Sequence, residues 1–495
     1  MKLSDRQVVV IGAGMGGLAS ALRLATAGVR VTVLERHGSP GGKMREVIAG
    51  SAPLDSGPTV FTMRWVFEDL FAAAGTRLDE HVSLLRESLL ARHSWTDGSR
   101  LDLFADLDQS VDAIEQFAGH REAHAYRRFA QQSASIFETL DASFMRAPKP
   151  SPVELALSLG LGGVPKLYAT KPFTSLWQEL GKVFTDPRLQ QLFGRYATYC
   201  GSSPFSAPAT LMLIAHAERA GVWLVDGGMQ RLAEALTSLS IQRGATIEFN
   251  RHVDSLDIRR GRVHGVHVGD DYYEADAVVF NGDAAALASG QLGTAAKRAV
   301  PKRKQHSLSA ITWSMQATTT GLDLAHHTVL FGDNYIDEFD HVFKHKAITH
   351  SPTVYLCAQD RGPGRTRQSP ERLFALINAP ACALSSADLD RYEQYMFAQL
   401  DRHGVALDIA ACVRTTPNDF ARLFPATEGA LYGSPTHGWN GSFDRPGATC
   451  KVHGLFLAGG SVHPGPGIPM ATLSGQQAAK AALDALRTGG LHRGL

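Results

Sequence analysis

The sequence is poor in cysteine: its five, Cys200, Cys357, Cys382, Cys412 and Cys450, are odd in number, widely spaced and form no Cys-x-x-Cys pair. That pattern excludes a disulfide scaffold and leaves buried thiols in a reducing compartment as the expectation. A surplus of charge is also lacking. With 49 Lys and Arg against 48 Asp and Glu, the formal net charge is +1, so no nucleic-acid surface is expected. No stretch offers the ~18 continuous apolar residues that a membrane-spanning helix needs. Residues 454–479 carry no formal charge, but His463, Pro464, Pro466, Pro469 and many glycines punctuate them into strand, turn and helix. No cleavable leader pattern precedes the first apolar run, which points to a cytoplasmic location. Gly-x-Ser-x-Gly and His-Glu-x-x-His are both missing, so neither a hydrolase nor a zinc protease has support. His326, His327, His341, His345 and His350 lack a matching carboxylate pattern; surface or core roles are expected for them, and no metal.

What is present suits a large globular protein. The chain has 495 residues, 44% apolar and 20% charged, with a mean hydropathy of −0.10. That length calls for two domains or one interleaved pair. Gln7 to Ile11 reads as a buried parallel strand, and Leu18, Ala21, Leu22 and Ala25 recur at helical spacing. Gly28 stops that helix, and Val29 to Leu34 forms the next strand, ending at Glu35. The unit is a complete strand–helix–strand. Short strands are expected over 84–104, with a turn at Asp97-Gly98, and a helical tract over 110–145. Further strands are expected at 246–249, 263–268 and 275–280. The last segment, 454–482, repeats the opening order of strand, glycines and helix.

Between the first strand and helix stands Gly12-Ala13-Gly14-Met15-Gly16-Gly17. Gly12 permits a tight turn, Gly14 lets the backbone approach a pyrophosphate, and Gly17 lets the helix pack on the sheet, its free N–H groups facing the anion. Glu35, 23 residues after Gly12, can accept hydrogen bonds from an adenosine ribose and would repel a 2′-phosphate, which favours NAD or FAD over NADP. Arg36 softens that preference. Gly41-Gly42-Lys43 brings backbone amides and one cation toward the phosphates, and Leu54-Asp55-Ser56-Gly57-Pro58-Thr59 forms a second rigid turn.

These segments resemble the FAD superfamily of amine oxidases, protoporphyrinogen oxidases and carotene desaturases, with Lys43 standing where arginine is usual. The implied fold is α/β: a Rossmann-type FAD-binding domain of the glutathione-reductase-like superfamily with an interleaved α+β substrate domain. Leu455 to Pro469, Gly221-Val222-Trp223 with Gly227-Gly228-Met229, and Ala275 to Asp283 resemble three motifs of bacterial-type phytoene desaturases, in order. Gly41 to Arg45 and Gly459 to Gly467 are most similar to the branch of 1-hydroxycarotenoid 3,4-desaturases of purple phototrophic bacteria, the hydroxyneurosporene and methoxyneurosporene dehydrogenases.

The resemblance implies FAD, an acyclic hydrophobic carotenoid as substrate, and a membrane quinone or oxygen as electron acceptor. It places Gly12, Ala13, Gly14, Met15, Gly17, Glu35, Arg36, Gly42, Lys43, Met44, Gly57, Pro58, Thr59, Val253, Gly459, Gly460, Ile468, Pro469 and Met470 around the cofactor. The helix after Pro469 would direct its N-terminus at the flavin and favour the anionic reduced form. His463 is the polar residue expected nearest the flavin, either as proton acceptor or as packing for a turn.

Following the superfamily, residues 1–80, 221–290 and 440–495 form the cofactor domain, and 81–220 with 291–439 the substrate domain. Residues 151–180 combine Val153, Leu155, Leu157, Leu159, Leu161, Val164, Leu167, Phe173 and Trp177 with Lys166, Lys171 and Lys182. The segment is read as a peripheral membrane contact or an ordinary helical cap. Phytoene desaturation, carotene isomerisation, terminal-methyl oxidation and amine oxidation remain open on the same scaffold, as does a non-catalytic carrier resembling the prenyl-binding GDP dissociation inhibitors.

Overall fold

The structure is a computed structural model that describes residues 2–160, 162–302 and 305–488. Leu161 of the apolar segment and the end of the last proposed cofactor stretch, 489–495, lie outside the described residues.

Val8, Val9 and Val10 are wholly buried because their strand, Gln7–Ile11, lies at the centre of a five-stranded sheet. All of its pairings are parallel. The order is Leu455–Leu457, Ala277–Phe280, Gln7–Ile11, Arg30–Leu34 and Thr246–Glu248. A parallel sheet covered on both faces explains the unbroken apolar runs. On one face Val8 and Val10 share a core with Leu18, Leu232 and Ala478, from the helices Met15–Thr26, Gln230–Gln242 and Ile468–Thr488. On the other, Val9 and Ile11 pack with Leu256, Val263 and Val266 of an antiparallel sheet formed by Ser255–Arg259, Arg262–Val268 and Asp271–Glu274.

The helices Met15–Thr26 and Ile468–Thr488 meet through glycine. A Cβ on Gly475 would stand 2.1 Å from the carbonyl oxygen of Gly16, so only glycine lets the last helix approach the first so closely. Ser20 Oγ donates to the carbonyls of Gly16 and Gly475, at 2.8 and 2.9 Å, and ties the crossing.

A seven-stranded sheet forms the second layer system, in the order Val405–Thr415, Ser309–Gly321, Glu371–Ala379, Val354–Ala358, His327–Leu330, Leu89–Ser94 and Arg100–Phe104. Its alternation separates two faces. Ile311, Trp313, Met315, Leu356, Leu373, Ala375 and Ile377 pack on Leu389, Tyr392, Met396 and Leu400 of the helix Ser386–Arg402. Thr312, Phe374, Leu376, Asn378 and Tyr355 take the other face and line a cavity.

The helical tract expected over 110–145 is two helices, Leu107–Ala118 and His120–Leu140, followed by a π-turn over Asp141–Met145. Gly119, with φ of 89°, breaks it. Among the described residues no helix is long and apolar enough to cross a membrane.

Candidate active site

A cavity of about 1000 Å³ runs from the glycine turn to the open face of the seven-stranded sheet. Its wall contains Gly12, Gly14, Met15, Glu35, Arg36, Gly42, Lys43, Met44, Gly57, Pro58, Thr59, Val253, Gly459, Gly460, Ile468, Pro469 and Met470. Residues more than 450 positions apart are thus brought to one wall. Ala13 and Gly17 stand behind it. The Ala13 N–H donates to Glu35 Oε2 at 2.7 Å, and a Cβ on Gly17 would fall 1.9 Å from the Gly12 carbonyl oxygen.

Glu35 is 4% exposed. Its Oε1 accepts the His37 N–H at 2.8 Å, so backbone amides hold both oxygens while the carboxylate stays on the cavity wall. That is the arrangement a ribose needs, since each carboxylate oxygen can accept a further hydrogen bond. Beside it, Gly12 takes φ of 96°, and the helix Met15–Thr26 begins at Gly14 without a side-chain cap. Its first N–H groups therefore remain available to an anion. The residues present fit a dinucleotide flavin.

Asp55 joins two of the sequence motifs. Its carboxylate accepts the Met229 N–H at 3.0 and 2.9 Å; burial raises its pKa, and the Met229 amide works in the opposite sense. The Asp55–Thr59 turn and the Gly227-Gly228-Met229 turn are therefore one unit.

Two residues named from the sequence have partners within the chain. Lys43 lines the cavity, but its ammonium donates to the carbonyl of Leu431 and lies 5.3 Å from the centre of the Phe424 ring. A backbone acceptor and an aromatic face hold the cation at the cavity wall. His463 belongs to no part of the cavity wall, which passes from Ser461 to Pro464. It is 1% exposed, and its Nε2 lies 2.9 Å from the carbonyl of Phe144 and 3.2 Å from that of Ala147. Two carbonyl acceptors require that nitrogen to carry the proton. Burial pushes the imidazole pKa down to about 4, so it is neutral at physiological pH.

Several wall residues gave no signal in the sequence. Asn281 donates from Nδ2 to the Gly12 carbonyl at 3.3 Å; it lay within a recognised motif but carried no assigned role. Arg445, 2% exposed, donates to the carbonyls of Tyr432 and Gly460 at 3.0 and 3.2 Å and clamps the C-terminal glycine turn. Arg195 and Tyr199 meet in the cavity wall, where Tyr199 and Tyr196 both donate to the buried Glu218 carboxylate. Burial opposes the charge on Arg195, but Tyr199 and Glu218 hold its pKa above the ordinary arginine value.

His326, His327 and Cys357 also gather, with ligand-type atoms all within 4.8 Å of one another. The pairing of His327 with Cys357 across two strands does this. His326 Nδ1 lies 2.8 Å from the Arg361 carbonyl and Nε2 lies 3.4 Å from Cys357 Sγ. His327 Nδ1 lies 2.7 Å from the Tyr355 hydroxyl. Burial lowers both imidazole pKa values.

A doubly covered parallel sheet, a glycine turn opening a helix, and a buried glutamate on one long cavity define an FAD-dependent oxidoreductase. The chain belongs to the flavin containing amine oxidoreductase family, whose profile matches residues 15–483. It is 46% identical over 491 residues to the hydroxyneurosporene desaturase of Rubrivivax gelatinosus, covering 97% of this chain and 93% of that one. It is 44% identical over 484 residues to the hydroxyneurosporene desaturase of Cereibacter sphaeroides, covering 96% and 97%. Among solved structures, a putrescine oxidase mutant shares the fold with a TM-score of 0.62 at 14% identity, covering 97% of this chain and 99% of its own.

Proposed function

We propose that this enzyme is a carotenoid desaturase that introduces the 3,4 double bond into an acyclic 1-hydroxycarotenoid such as hydroxyneurosporene. The observation that carries the reading is the single cavity. The wall around the glycine turn and Glu35 continues into an apolar arm with Phe144, Leu155, Leu167, Leu211, Ile214 and Phe374 in its wall, a place for a long polyene beside the cofactor. Two relatives at 44–46% identity bear the name of that activity.

Bound FAD supplies hydride acceptance. The chain's task is to bind, orient and keep water out. Glu35 and the first turn of the helix Met15–Thr26 hold the dinucleotide, and Gly459, Gly460 and the start of the helix Ile468–Thr488 close the opposite wall. The side chains of the arm fix the polyene, and orientation of this kind is the main source of rate where no strong base is needed. A quinone or oxygen would be the electron acceptor.

Anaerobic mixing of the holoenzyme with hydroxyneurosporene, neurosporene or phytoene tests the reading. Flavin bleaching and a longer-wavelength product are expected with hydroxyneurosporene first. Faster bleaching with phytoene would overturn the assignment in favour of phytoene desaturation.

We assign His463 to positioning, since its Nε2 braces the segment that places Phe144 and Met145 in the cavity wall. His463→Gln, which keeps an N–H donor, is expected to retain FAD and to reduce flavin within about threefold of the parent rate; His463→Ala is expected to lose roughly tenfold, one hydrogen bond's worth. A loss of a thousandfold in the glutamine variant with FAD retained would restore a proton-accepting role.

The enzyme works at a membrane surface in this reading, and residues 151–180 supply the contact. Val153, Leu157, Val164, Tyr168 and Phe173 are 67–74% exposed, and the exposed Trp439 lies against Phe173 with ring centres 5.9 Å apart. Thr170, Pro172 and Trp439 are also part of the cavity wall, so the patch adjoins an entrance for a water-insoluble substrate. Replacing Leu157, Val164 and Phe173 together with serine should lower partition to anionic liposomes at least about tenfold, because each buried apolar side chain contributes about 1.5–3 kcal/mol. Unchanged partition would remove the assignment.

The two large sheets are the basis for proposing two domains, with boundaries at 1–80, 221–290 and 440–495 for the cofactor and 81–220 and 291–439 for the substrate.

A further inference from the structure

The apolar arm ends on a polar floor. Thr312 and Tyr355 both stand opposite Leu376 in the seven-stranded sheet, one on each neighbouring strand, so the three form a row on the face that lines the cavity. Two residues further along that face, Asn378 donates to Glu338 at 2.9 Å, and Thr353 donates to the same carboxylate at 2.7 Å. Tyr335, one helical turn before Glu338, lies over this end of the sheet and also lines the cavity. Its ring sits 3.3 Å from where a Cβ on Gly194 would be, next in the chain to Arg195. The charges of Glu338 and Arg195 both act on Tyr335, and that of Arg195 also acts on Tyr355.

Three polar atoms of this group have no hydrogen-bond partner among the described residues: Thr312 Oγ1, the Tyr335 hydroxyl and Arg195 Nε. Thr312 is 2% exposed and Tyr335 6%. Buried polar atoms are almost always paired, because leaving them unpaired is costly. Here the three unpaired atoms belong to residues of one cavity wall. The two other tyrosine hydroxyls of this wall are already bonded: Tyr355 to Thr59 and His327, both at 2.7 Å, and Tyr199 to Glu218.

We propose that Tyr335, Thr312 and Arg195 form a subsite for a hydroxyl oxygen at the end of an otherwise hydrocarbon substrate. An alcohol oxygen accepts two hydrogen bonds and donates one, and this set offers one fixed N–H donor and two hydroxyls that turn to suit. A bare hydrocarbon end would leave all three unpaired. Rejection of a substrate that lacks the matching polar group is stronger than rejection of one that lacks a methylene.

The subsite also sets register. Thr59, in the cofactor-side turn, is hydrogen-bonded to Tyr355 on the floor, so the floor and the cofactor wall are held at a fixed spacing. An oxygen anchored here determines which carbon pair of the polyene reaches the reacting position, and a displacement of about 1 Å is enough to cost two orders of magnitude in rate. The three are positioning residues. The proposal rests on the hydroxycarotenoid reading of the substrate.

The test uses the holoenzyme with Tyr335→Phe, Thr312→Val and Thr312→Ser, and two probes, 1-hydroxyneurosporene and neurosporene. Dissociation constants come from quenching of tryptophan fluorescence, and anaerobic flavin bleaching is followed in parallel. The parent enzyme should bind the hydroxylated polyene at least about tenfold more tightly than the hydrocarbon. Tyr335→Phe and Thr312→Val should each erase roughly tenfold of that preference and leave hydrocarbon binding unchanged or improved, while Thr312→Ser restores it. Equal weakening for both polyenes, or a preference that survives both variants, overturns the subsite. A parent enzyme that shows the binding preference yet is bleached by neither polyene overturns the desaturase reading and leaves the subsite standing.

Discussion

Gly17→Val is expected to yield a protein without flavin, with the flavin-to-protein absorbance ratio reduced at least about tenfold. The Cβ of any larger residue would stand 1.9 Å from the Gly12 carbonyl oxygen and 3.0 Å from Asn281 Nδ2. The first of these is backbone in the turn that approaches the phosphates, so it cannot swing aside as a side chain would. Relief requires the first helix to move off the sheet, which carries the N–H groups at Gly14 and Met15 away from their anion. Overpacking of this kind costs about 1–3 kcal/mol in the best-accommodated cases, and one tenfold change in affinity is about 1.4 kcal/mol. A yellow protein with the parent ratio would show that the helix does not need this approach.

The second large effect is expected at Glu35. In Glu35→Ala the Ala13 and His37 amides lose their acceptor, and a ribose bound there would lose its own. Hydrogen bonds to charged groups contribute about 1.5–3 kcal/mol each, so the FAD dissociation constant should rise roughly 10- to 100-fold. Glu35→Gln keeps one carbonyl acceptor and should fall between the two. Ultrafiltration of the loaded enzyme against FAD measures both. Equal retention of FAD in parent and alanine variant would exclude Glu35 as the ribose partner. The two variants act differently, since Gly17→Val forces an overlap in the turn while Glu35→Ala removes acceptors and adds no atom to it.

The cofactor wall was legible in the sequence because its chemistry is local. Gly12 to Gly17 and Glu35 carry their meaning in spacing along one turn and one strand end, whereas Gly459 to Pro469 was placed beside the cofactor by resemblance. Direction was not legible. Lys43 offers a cation by type, but nothing local names the Leu431 carbonyl, 388 positions away, to which it donates. His463 was read by its place in a motif, and the Phe144 and Ala147 carbonyls that hold it come from the π-turn and the residues after it. The substrate floor was hidden for a different reason. Along Ser309–Gly321 alternate residues are apolar and polar, as in Ile311-Thr312-Trp313-Ser314, and such a strand shows one polar face without saying whether it meets solvent or a cavity. Only the register with Glu371–Ala379 and Val354–Ala358 puts Thr312 and Tyr355 in one row, on either side of Leu376. Gly119 was overlooked because a single glycine within an apolar-periodic tract is tolerated in helices, and its positive φ is a property of the packing.

The five-stranded sheet has its first-made strand at the centre and its last-made strand, Leu455–Leu457, at one edge. During synthesis the strand Ala277–Phe280 therefore waits with one edge unpaired until some 175 further residues have been added. At about 5–20 residues per second the interval is roughly 9–35 s, in which an apolar strand stands open to mispairing with other chains. The opposite wall of the FAD cavity, Gly459 to Met470, is delivered only after that edge is filled. A chain stalled after residue 60 but before residue 455 thus carries the glycine turn while lacking the Gly459–Met470 wall of the cavity.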